Sequence, residues 1–231
     1  LDDHNKAIEL NPENPELYLS RAYFFKKILK KYDKSLEDHN KAIELNPDNA
    51  DFYKERADLY HYFLEQYQKA LEDYKRAIGL DPKAEFYYGR TGVYESLGQF
   101  NKSLEDYNKA IELDSSYTLA WIGLFDASFI PNANDERRKK IKFYLDYATK
   151  LDSNLLEVKL ANVRYLRVFE GKQDKAIQIL NELKSQYPKH AEINAEIYFY
   201  LGVSYKRVCD CKNAIANYDI AIKLDPSNWE F

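Results

Sequence analysis

The stretch Ser35-Leu-Glu-Asp-His-Asn-Lys-Ala-Ile-Glu-Leu-Asn-Pro47 decides the fold. Leu36, His39, Ala42, Ile43 and Leu45 recur at helical spacing, and Pro47 cannot continue a helix, so the stretch reads as an amphipathic helix with a stop. Near-copies stand at Leu1 to Pro12, at Leu71-Glu-Asp-Tyr-Lys-Arg-Ala-Ile-Gly-Leu-Asp-Pro82 and at Leu104-Glu-Asp-Tyr-Asn-Lys-Ala-Ile-Glu-Leu-Asp114. The chain is therefore a repeat array, in which stacked units share one elongated core.

Composition agrees with helices and narrows the partners. Only 7 Gly and 7 Pro in 231 residues disfavour a loop-rich β fold. A net charge of −4 lacks the basic excess of a phosphate-tracking surface, so nucleic acid is not an expected partner. No run approaches the ~20 apolar residues of a membrane span, and membrane insertion is not expected. Cys209 and Cys211 are too close for an unstrained mutual disulfide and fit a reducing compartment, which favours a cytoplasmic location. The sequence opens inside a repeat and contains no Met, so it reads as a fragment with its true N-terminus upstream.

Read in order, residues 1–12 are a half repeat, and six helix pairs follow at about 15–47, 50–82, 84–115, 118–153, 156–188 and 191–226. In the first, helices over Pro15 to Leu29 and Asp33 to Leu45 flank a turn at Lys30 to Tyr32, with Asn14 as cap before Pro15. The fourth pair carries a polar, Pro-containing turn at Ile130 to Glu136 that should protrude. The fifth keeps Gly171, Ala176 and Pro188 but has Lys159 where Trp121 and Tyr198 open their helices. Lys189 to Asn194 should extend the sixth pair's first helix, and Asn228 to Phe231 read as the start of another helix or a cap.

A helix pair of about 34 residues, with aromatic, small and aromatic positions in its first helix and a closing Pro, resembles the tetratricopeptide repeat. The sixth unit carries the pattern most fully, in Tyr198, Leu201-Gly202, Tyr205, Ala214, Tyr218, Ala221 and Pro226. Units one to three resemble a bacterial-type variant with Arg before the small residue, as in Arg21-Ala22, Arg56-Ala57 and Arg90-Thr91. The resemblance covers the whole chain and implies an all-α fold: an α-solenoid, a right-handed superhelix of antiparallel helix pairs. Most of the tyrosines then serve packing.

One regularity is internal to this sequence. Wherever a first helix carries Arg (Arg21, Arg56, Arg90), the second helix of that unit carries Asp (Asp38, Asp73, Asp106). The other units have Leu124 with Tyr144, Asn162 with Ile179, and Leu201 with Asn217. Both members appear or both vanish, which points to structural ion pairs that specify register more than they add stability.

The resemblance also implies that first helices line a concave groove. Its candidate peptide-facing residues are Tyr23, Lys26 and Lys27, then Lys54, Asp58, His61 and Tyr62, then Tyr88, Gly92 and Glu95. Ile122, Asp126 and Phe129 follow, then Arg164 and Arg167, and finally Phe199, Val203 and Lys206. Mixed charge with exposed rings suits an extended or helical peptide of alternating apolar and acidic side chains. A chaperone C-terminal tail is disfavoured, because Asp58 stands where the family's two-carboxylate clamp has Asn and Tyr88 and Gly89 replace other polar members.

Catalytic chemistry is not indicated. No phosphate-binding Gly loop occurs, His4 and His39 occupy ring positions of the repeat, and His61 and His190 lack a metal-spaced partner. No metal or cofactor is expected. The expected function is a non-enzymatic scaffold holding a protein or peptide in the groove, with the Ile130 to Glu136 loop as a second candidate contact. The alternatives are a regulatory or substrate-recruiting domain of a larger enzyme and self-association through exposed solenoid ends.

Overall fold

A computed structural model describes residues 1–188 and 191–226; Lys189, His190 and residues 227–231, with the expectations attached to them, lie outside the described residues. The fold is an all-α helical repeat. Its helices are α1 Asp2–Leu10, α2 Pro15–Lys27, α3 Tyr32–Leu45, α4 Ala50–Tyr62, α5 Tyr67–Leu80, α6 Ala84–Ser96 and α7 Phe100–Leu113. They continue as α8 Thr118–Ser128, α9 Asp135–Leu151, α10 Leu156–Val168, α11 Gln173–Gln186, α12 Ala191–Arg207 and α13 Cys211–Leu224. The chain divides after Ala127 into two compact units.

Local chemistry sets the helix ends. Asn14 and Asn49 accept the Glu16 and Asp51 amides at 3.0 Å each, capping α2 and α4. α2 stops at Lys27, two residues before the expected Leu29, because Lys30 takes a left-handed φ of 53° and turns the chain. The same place in later pairs is held by Glu65 (52°), Gly98 (67°), Gly171 (65°) and Cys209 (60°). Left-handed backbone suits Gly, so three of these five turns place a side chain where one is disfavoured. The Ile130 segment bends back through Ala133 N–H to the Ile130 carbonyl at 3.0 Å, buries Ala133, and ends where Asn134 caps α9.

In the N-terminal unit, helices pair as α2 with α3, α4 with α5 and α6 with α7, while α3 with α4 and α5 with α6 join the pairs. The small residues Ala22, Ala57 and Ala42 are fully buried where helices meet. Tyr74 and Tyr107 pack over Gly89 and Gly123 of the following pair, where any Cβ would overlap the ring. Tyr74 is fully buried and Tyr107 nearly so. At the equivalent ring position the first pair has the smaller His39, and the residue equivalent to Gly89 is Glu55; the two border one cavity. Ring size thus falls as the facing residue grows. In the C-terminal unit the core joins α10, α11 and α12 through Val163, Leu180, Leu183, Ile197 and Leu201. Tyr218 rests on Gly202, whose Cβ would come within 2.7 Å of the ring.

Candidate functional site

The Arg and Asp residues meet within their own pairs. Arg21 donates from Nε and Nη2 to Asp38 at 2.9 and 2.7 Å, Arg56 to Asp73 at 2.7 and 2.7 Å, and Arg90 to Asp106 at 2.7 and 2.8 Å. Each carboxylate is buried, and each guanidinium lies between two rings of its own helix: Tyr18 and Phe25, Tyr53 and Tyr60, Tyr87 and Tyr94. For Arg56 and Arg90 burial opposes the charge, yet the bidentate carboxylate wins and holds both guanidinium groups above their ordinary pKa. Arg21 and Arg56 also donate from Nη1 to Asn5 and Asn40, at 2.9 and 2.7 Å, tying each pair to the preceding second helix.

The first-helix face of the N-terminal unit carries a cavity of about 640 Å³ bordered by Tyr23, Lys26, Lys27, Lys54, Glu55 and Asp58. Tyr23 is 57% exposed and Tyr62, in the next pair, 62%. A polar network runs beneath them. Tyr74 donates its hydroxyl to Asp58, and Lys54 Nζ bridges Asp58 at 3.0 Å and Glu55 at 3.2 Å. Lys26 Nζ stands 3.8 Å from Glu55. Burial opposes the Lys54 charge, but Asp58 and Glu55 outweigh it and hold the ammonium above its ordinary pKa. Burial and the Asp58 carboxylate together push the Tyr74 phenol upward, keeping it a donor.

Several groove expectations need correction. Ile122 is 5% exposed, because α8 is apolar nearly all round and buries Ala120, Gly123, Leu124 and Phe125 with it. His61 is 8% exposed: its Nε2 lies 3.0 Å from Ser96 Oγ, and Gly92 leaves room for its ring. Lys26 is buried along its stem, with Nζ near the Phe63 ring, and only Lys27 beside it reaches solvent. The basic character expected at this end is largely neutralised by Glu55 and Asp58.

The remaining candidates separate by place. Tyr88 packs its ring 6.0 Å from Tyr107 and 5.4 Å from Tyr117, and Glu95 accepts from Ser103 and Tyr107 at 2.7 and 2.8 Å. Asp126 is exposed. In the C-terminal unit Phe129 stacks edge-on to Phe169, with Arg164 over its ring at 5.8 Å. Arg167 lies 5.2 Å from the Tyr200 ring and forms no ion pair among the described residues; burial lowers its pKa. Phe199, Val203, Lys206, Arg207 and Tyr218 border a further cavity of about 740 Å³.

Among the described residues no cluster of His, Cys, Asp and Glu is arranged to hold a metal, and no helix is long and apolar enough to cross a membrane. Cys209 and Cys211 are exposed free thiols. Sequence reasoning missed a cavity of about 350 Å³ bordered by Thr149, Lys159, Asn162, Leu166, Ile179 and Gln186, among others. Its signal was visible as Lys159 in an aromatic position and the missing Arg–Asp pair of the fifth unit.

Stacked helix pairs with rings locked over glycines define a helical repeat protein. Family models described as TPR repeat and tetratricopeptide repeat match residues 28–62, 50–83, 84–117 and 157–190, more than half of the sequence. The chain belongs to the tetratricopeptide repeat family, whose fold serves protein interaction and is generally non-catalytic. Comparison with curated proteins gives no match. Among solved structures, the chain is similar to one in the APC/C hetero-tetramer Cut9-Hcn1, with TM-score 0.76 and 15% identity over 98% of this chain and 43% of that one. It thus spans less than half of that relative's length. PilF of Pseudomonas aeruginosa gives TM-score 0.67 and 19% identity over 94% of each chain. The human IFIT1 dimer with m7Gppp-AAAA gives 0.73 and 21% over 96% of this chain and 53% of that one. At these identities the likeness is one of fold.

Proposed function

We propose that this protein is an interaction scaffold that holds a peptide segment of a partner against its first helices. The observation that carries the reading is the cavity on α2 and α4. Two largely exposed tyrosines, Tyr23 and Tyr62, stand beside a charge-balanced floor of Lys26, Lys54, Glu55 and Asp58 fixed by Tyr74. Rigid rings on a pre-organised polar floor suit capture of an extended or helical segment at low entropic cost. Because that floor is neutral overall, apolar side chains of the ligand meet the N-terminal unit. The C-terminal unit, considered by itself, suits acidic side chains: Arg167 forms no ion pair among the described residues, and Lys206 and Arg207 are exposed.

Peptides selected from a displayed random library against the whole chain test this, with affinity measured by calorimetry. Tyr23→Ala and Tyr62→Ala should each weaken a selected peptide about tenfold or more, as aromatic anchors do. Binding unchanged in both variants would refute the assignment.

A further inference from the structure

The fifth unit has a vacancy where other units are filled. Aligning each first helix on the Arg position puts Tyr18, Tyr53, Tyr87, Trp121 and Tyr198 three residues before it, and Lys159 in the fifth. Position by position, the fifth unit replaces ring, guanidinium, second ring and carboxylate by Lys159, Asn162, Leu166 and Ile179. All four border the cavity of about 350 Å³ between α10 and α11. The cavity is therefore the space a tyrosine ring and its guanidinium neighbour occupy elsewhere in the same chain, at the small end of the usual ligand-pocket range.

We propose that this cavity receives a tyrosine side chain from a partner peptide, one with an acidic residue next to it. Leu166, Ile179 and Leu183 supply an apolar floor for the ring. Asn162 spends its Nδ2 on Thr149 Oγ1 at 3.1 Å and the Val158 carbonyl at 3.0 Å. That leaves its Oδ1 to accept the phenolic hydrogen. At the border Lys159 reaches only Gln186, at 3.5 Å, and Lys175 is exposed; neither forms an ion pair among the described residues. Glu182, the one acid bordering the cavity, accepts from Gln178 at 3.0 Å. Two ammonium groups with no ion pair among the described residues, beside a ring-sized apolar hole, select a tyrosine flanked by a carboxylate. This site lies within the C-terminal unit and does not depend on the reading of Tyr23 and Tyr62.

The test is a methyl NMR titration of the whole chain with N-acetyl-glutamyl-tyrosine amide, and with the alanine analogue in a second arm. The tyrosine probe should give saturable shifts at the Leu166, Ile179 and Leu183 methyls, at least tenfold tighter than the alanine probe. Lys159→Tyr, which refills the hole from within, should raise the melting temperature and weaken the tyrosine probe at least tenfold. Equal affinity for the two probes, shifts centred on other methyls, or no binding by the wild type would overturn the proposal. So would a folded Lys159→Tyr protein that binds as wild type, or one that fails to fold, since the ring's place would then not be vacant.

Discussion

Asp73→Ala removes the carboxylate that holds Arg56 and leaves the guanidinium between Tyr53 and Tyr60. The Asp73 side chain is 9% exposed and that of Arg56 19%, and two charge-assisted bonds of 2.7 Å are lost. Breaking a buried pair on one side costs about 3–5 kcal/mol. Arg56 keeps its Asn40 bond and some water, so about 2–3 kcal/mol is expected here. The double replacement Arg56→Leu with Asp73→Asn copies the residues that the sixth unit uses at Leu201 and Asn217, and should cost only about 1 kcal/mol because no charge is stranded. Repeat arrays need not unfold in one step, so native-state hydrogen exchange of α4 and α5 amides is the suitable readout. Protection there should fall about 30- to 150-fold in the single variant. A single variant that costs no more than the double would refute the view that the carboxylate exists to satisfy the arginine.

Other predictions follow from single contacts. Gly123→Ala should cost about 1–3 kcal/mol in thermal unfolding, since its Cβ meets the buried Tyr107 ring; an unchanged midpoint would show that the ring can yield. Cys209→Gly should stabilise by about 0.5–1 kcal/mol by relieving a left-handed residue, as Gly98 and Gly171 already do in their turns, and a lower midpoint would contradict this. His39 is buried, with its Nδ1 2.7 Å from the Ser35 carbonyl, and burial pushes its pKa below the ordinary value. The unfolded chain therefore binds the proton first as pH falls below about 6.5, so stability should drop from pH 7 to 5.5, above the ordinary carboxylate range. His39→Gln should flatten that slope, measured as urea midpoints at the two pH values.

The recurrence of Leu-Glu-Asp-ring-x-x-Ala-Ile made the helix pairs legible, because each copy supplies the same apolar stripe and stop. The covariation of Arg21 with Asp38 was equally readable, since a charge half-buried in one copy needs its partner in the same copy. Side-chain withdrawal was harder to see. Ile122 was assigned by register, but α8 is apolar nearly all round and only its last turn is wet, which register alone does not reveal. Lys26 looked like a free cation until its stem and Glu55 were placed beside it. The fifth-unit cavity lies in what the sequence omits, and an omission becomes a hole only if the neighbours do not collapse into it.

In the proposed function, first helices recognise and second helices support. Amide NMR shift mapping with a library-selected peptide tests this most directly: perturbations should concentrate in α2 and α4 around Tyr23 and Tyr62. Perturbations concentrated instead on the outward positions of α3 and α5 would contradict it.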